Sequence, residues 1–169
     1  RPAPLPGNFD TMTSDSITSS EGGAAVLAVH EPGFDILSSP IPNFGTLVTE
    51  RAKIFARHRT LDTFRRRVGA LSDHGEEGRR KGLGWWIVGD YSRAAEMLAA
   101  FPDDHVAAFT RAKALVSLGR PADAHPIFER LAKAYPDEPR PRGGAIEARL
   151  EADLLKDDLE RARENLVAA

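Results

Sequence analysis

The chain has 169 residues, enough for one ordinary domain, and sets 23 Lys and Arg against 25 Asp and Glu for a formal net charge of -2. It contains no cysteine, which excludes disulfides, thiolate metal sites and cysteine nucleophiles. The balance excludes a polycation or an acidic tail, and no apolar run approaches the roughly 18–20 residues that a transmembrane helix needs.

The near-neutral total hides a segregation. Residues 1–50 carry one basic residue, Arg1, against six acidic ones, whereas residues 51–81 carry ten basic residues against four acidic ones. Blocks of opposite sign favour docking on each other or on neighbouring copies. A cytoplasmic location is expected, with export kept open because residue 1 is not methionine. Residues 164–169 still follow a helical pattern, so a piece of a longer chain is expected. The excess of arginine over lysine, with abundant alanine and glycine, points to a GC-rich bacterial coding sequence.

Residues 1–45 read as an extended arm. Pro2, Pro4, Pro6, Pro32, Pro40 and Pro42 remove backbone donors, and a Ser/Thr/Gly-rich stretch at 11–23 raises the entropy cost of ordering. Residues 24–29 could form one short strand. Phe34, Ile36, Leu37, Ile41 and Phe44 are spaced as anchors that an extended strap drops into grooves, either of its own helical domain or of a neighbouring chain. A neighbour is the expectation.

Helix is expected over 46–72. Leu47, Ile54, Leu61 and Val68 recur every seven residues, with Phe55, Phe64 and Leu71 on the same side. That stripe fits one long helix or two broken near Thr60, packed as the N-terminal cap of a helical array rather than as a coiled coil.

From Gly75 the pattern changes to short helices punctuated by Gly-Asp and Pro-Asp. Residues 105–138 form a unit of 34: Ala112 is a small residue for close helix approach, Leu115 a large apolar one, Gly119 the turn, Ala124 the small contact of the second helix, Phe128 and Leu131 its buried face, and Pro136 the stop. Residues 75–104 follow the same frame with Gly82, Trp85, Gly89-Asp90-Tyr91, Ala94, Leu98 and Phe101, and with a second helix about one turn short. Residues 143–169 carry a partial unit in which Asp157-Asp158 stands for the turn and Ala162 for the small residue. This pattern resembles the tetratricopeptide repeat. The fold class expected over 75–169 is therefore all-α, a solenoid of helical hairpins preceded by the arm and the cap.

The resemblance implies a non-enzymatic protein that binds other proteins, possible copies of itself included, on the concave surface lined by the first helix of each pair. On that surface it places Glu76, Arg79, Leu83, Trp86 and Ile87 from the first unit, and Val106, Phe109, Lys113, Val116 and Ser117 from the second, whereas Trp85 goes to the core. The only asparagines are Asn8, Asn43 and Asn165, none on a first helix, which argues against the family's carboxylate clamp for chaperone tails. A basic patch centred on Arg65 and Arg66, with Arg67 beside them, is a second candidate surface. Three successive arginines point around about 300° of a helix, so an acid-docking face is favoured over nucleic acid.

No catalytic constellation appears. The five histidines show no metal-binding arrangement, and Gly82-Leu83-Gly84 lacks the rest of a phosphate loop. No catalytic residue, cofactor or metal is expected. Three functions remain: a scaffold subunit whose arm straps a neighbour, an adaptor whose groove is filled by its own arm until a ligand displaces it, and a nucleic-acid-binding regulator.

Overall fold

The computed structural model describes residues 35–56 and 58–168. Most of the expected arm, with the candidate strand at 24–29 and the anchor Phe34, lies outside the described residues. Those described form helices and no strand: α1 (Phe44–Phe55), α2 (His58–Ala70), α3 (Gly75–Ile87), α4 (Tyr91–Met97, prolonged by a 3-10 turn at Leu98–Ala100), α5 (His105–Ser117), α6 (Pro121–Ala134) and α7 (Pro139–Ala168). They are a solenoid of hairpins in which α3 packs on α4, α5 on α4 and α6, and α7 on α6.

Local chemistry sets the boundaries. The Asn43 side chain accepts a hydrogen bond from the Thr46 backbone N–H, Asp90 from that of Arg93 and Asp104 from that of Ala107, so each fills an orphan donor at a helix start. Pro121 opens α6, where a missing N–H costs nothing. Gly89 and Gly119 turn the chain between paired helices with φ of 84° and 70°, a region cheap only for glycine. The α4 helix is the short second helix expected from the early Pro102.

Small residues let the helices approach. Ala94, Ala112 and Ala124 are fully buried at the contacts. A Cβ on Gly84 would lie 2.6 Å from Cγ2 of Val68, so α2 and α3 touch where only hydrogen fits. Gly84→Ala should therefore lower stability by about 1–3 kcal/mol through overpacking against a stiff β-branched side chain. Gly143 has nothing within 4 Å of its ideal Cβ, and Gly143→Ala should raise stability by roughly 0.5–1 kcal/mol. Urea melts of the two variants check the contrast.

Two boundaries need correction. The segment at 46–72 takes the second of its two expected forms, a helix pair, but it is entered at Phe44 because Asn43 caps it, and the break follows Phe55 rather than Thr60. The partial unit at 143–169 is not a hairpin. The α7 helix starts at Pro139 and runs for 30 residues through Asp157 and Asp158. Aspartate lacks glycine's freedom at positive φ, and the exposed i,i+4 pair Lys156–Glu160 lies along the helix where a turn was expected.

Candidate functional site

The inner face of the array is built from the first helices, and the chain itself covers it. Leu83 and Ile87 on α3 are fully buried, and Trp86 on α3 and Phe109 on α5 nearly so. The cover is the start of α1: the Phe44 ring meets Trp86 edge-on at 5.0 Å between centroids and Phe109 at 4.8 Å. Phe109 in turn meets Phe128 of α6 at 5.3 Å. Edge-to-face rings at these separations attract beyond their area burial. The surface expected to lie open in the groove is thus buried at Leu83, Trp86, Ile87 and Phe109, with Phe44 seated on the two aromatic residues.

Further along α1, Arg51 completes the closure. Its guanidinium lies 5.0 Å from the Trp86 ring centroid and donates a hydrogen bond of 3.0 Å to the Tyr91 hydroxyl. No feature of the sequence marks Arg51 for this role, because the contact exists only once α1 is laid across α3. Trp85 is buried as expected, with Arg93 stacked 4.8 Å from its ring. The Trp86 indole Nε1 is buried without a hydrogen-bond partner, so the plug fits the aromatic face but not its polar edge.

The arm anchors within the described residues belong to the same body. Ile36, Leu37 and Ile41 are buried in its core. Arg80 of α3 donates to the Ser39 carbonyl at 3.1 Å, and Arg67 of α2 pairs with Asp35. Burial raises the Asp35 carboxyl, but the hydrogen bonds from Arg67 and the Leu37 N–H outweigh it and hold the group below its ordinary range. For residues 35–43 the expectation of a neighbouring chain gives way: they pack on the helices that follow them.

The remaining candidates divide. Arg79 is tied to Asp104 at 2.9 Å and to Glu76 at 3.3 Å, and Lys113 reaches Glu147 of α7 at 3.2 Å. Val116 is half-buried against the core, whereas Arg65 and Arg66 are exposed. The arginines therefore do not form one continuous free patch.

With this geometry in place, comparison with known proteins shows that residues 88–150 match a tetratricopeptide repeat family model. These residues belong to the tetratricopeptide repeat family. The matched span runs from the turn after α3 through α4, α5 and α6 into the first half of α7. No curated protein and no solved structure gives a significant match. Tetratricopeptide repeats in general mediate protein–protein contacts and are typically non-catalytic.

Within and beside the repeats, titratable clusters act as ties. His105 Nε2 lies 3.2 Å from a Glu138 carboxylate oxygen without an aligned hydrogen bond, and His125 faces Glu129 at 3.5 Å and the Ala145 carbonyl at 3.0 Å. Among the described residues no group of three or more His, Asp or Glu could hold a metal ion, and no helix is long and apolar enough to cross a membrane.

Large apolar side chains are exposed at the last helix. Ile146, Leu150, Leu154, Leu155 and Leu159 of α7 are all exposed, Ile146 and Leu159 at 71% each. The sequence reads 157–162 as a turn and the small residue after it; the continuous α7 carries Leu159 along one helix instead.

Proposed function

We propose that the chain is a non-enzymatic scaffold subunit whose inner groove is closed by its own α1 and whose contacts with partner proteins are made elsewhere on the array. The observation that carries this reading is Phe44 seated between Trp86 and Phe109. Behind it, Ile36, Leu37, Ile41, Leu47 and Ile54 are buried. Burying side chains of this size stabilises by about 1.5–3 kcal/mol each. A peptide competing for the groove would have to overcome that cohesion as well as its own ordering cost. The strap onto a neighbour, first expected for the whole of 1–45, is proposed only for residues 1–34.

The adaptor reading has one observation in its favour, the unpartnered Trp86 Nε1, which a ligand carbonyl could satisfy. Hydrogen exchange of the isolated chain separates the two. The scaffold reading expects the amides of α1 to be protected to the same degree as those of α3 and α5. Rapid exchange of α1 while α3 and α5 stay protected would overturn it in favour of a displaceable plug. The nucleic-acid reading draws no support from the arginines, since Arg67, Arg79 and Arg80 are engaged by Asp35, Asp104 and Glu76.

A further inference from the structure

The ends of the array differ in a way that the groove does not explain. At the C-terminal end, α7 passes the start of α6 and runs on for about 16 residues, or roughly 24 Å at the α-helical rise. Every residue from 153 to 161 is exposed there, including Leu154, Leu155 and Leu159. Residues 151–168 hold six carboxylates against three basic side chains, a formal charge of -3.

The N-terminal end has the opposite character. The α1 helix leaves Val48 and Phe55 about half exposed, at 47% each, with Phe55 at the edge of the Arg51 contact. Beside it, α2 carries four arginines against Asp62, a formal charge of +3. Arg67 is engaged by Asp35, but Arg65 and Arg66 are exposed and enter no ion pair among the described residues.

We propose that the projecting half of α7 docks on the α1–α2 end of a second copy, so that the solenoid continues from one chain into the next. This rests on the scaffold reading above. A helical hairpin array must cover the apolar side of each terminal unit or leave it exposed. Here one chain carries both an apolar, acidic end and an apolar, basic end, with formal charges of opposite sign. Such a contact joins different surfaces of the two copies, so it does not close on itself as a two-fold dimer does; it gives rings or open chains. A symmetric pairing of two α7 helices would instead bring two acidic segments together, which like-charge repulsion disfavours.

Sedimentation velocity on the intact chain tests this. The expected result is association that grows with protein concentration and weakens on the order of tenfold between low and high salt, because exposed pairs are screened. Arg65→Glu/Arg66→Glu and Asp157→Lys/Asp158→Lys should each be monomeric alone, with unchanged helical circular dichroism. Mixed in equal amounts they should associate again, since each variant keeps one native end. A monomeric native chain at low salt would overturn the inference, as would association that survives the arginine reversal and is lost only on altering α7. In either case the protection of α1 in hydrogen exchange remains a separate test of the scaffold reading.

Discussion

Phe128→Ala should lower the unfolding free energy by about 3–5 kcal/mol, the range for an aromatic ring removed from a packed core. The ring is fully buried on α6 and sits edge-on to Phe109. An ideal Cβ on Gly144 of α7 would fall 2.8 Å from its Cδ1, so α7 is drawn onto the ring with no slack. Removing the ring leaves a cavity bounded by α5, α6 and α7, and helices held this closely relax only in part. A domain of this size has about 5–15 kcal/mol in total, so the loss is a large fraction of it. Urea denaturation measures the change, with Leu118→Ala as the contrast: Leu118 is exposed, and its truncation should fall within about 0.5 kcal/mol.

The second large effect is expected at the strap. Ile36→Ala and Ile41→Ala should each cost about 2–4 kcal/mol, although both residues precede the first helix in a proline-rich stretch. They are 4% and 6% exposed and lie in the same core as Leu47, Val68 and Leu83. Loss of stability from a change in so irregular a segment would be surprising for a loose tail, and follows directly from a strap packed in its own domain. If the two variants melt with the native midpoint, residues 35–43 do not pack on these helices and the closed-groove reading fails with them.

What was legible in the sequence was what depends on near neighbours. Gly89 and Gly119 announce turns because only glycine takes their backbone conformation cheaply. Ala94, Ala112 and Ala124 announce close helix contacts because no larger side chain would fit. Their spacing carries the repeat. The closed groove was not legible, because Phe44 and Arg51 acquire their roles only from where α1 docks, some 35–65 residues away in sequence from the Trp86, Tyr91 and Phe109 that they touch. An apolar stripe shows that a face will be covered without naming the cover. For the same reason, Asp157-Asp158 reads as a turn in a stretch that is one continuous helix. Trp85 reads as core and Trp86 as groove surface, yet both are buried because α3 is packed by α1 and α2 as well as by α4 and α5.

The ties between units bear on how the molecule responds to load. Lys113 and Glu147 are 34 residues apart, the length of one unit, and join α5 to α7; within the units, Arg79 ties α3 to Asp104 at the entry to α5, and His105 at the start of α5 faces Glu138 at the entry to α7. Each rung couples nearest neighbours and nothing farther, as in a ladder. Pulled from its two ends, such a ladder peels unit by unit. The last half of α7, with no rung to an earlier helix among the described residues, gives way first. At the other end α1 touches α2, α3 and α5 together, so that it acts as a clasp and the N-terminal side yields last.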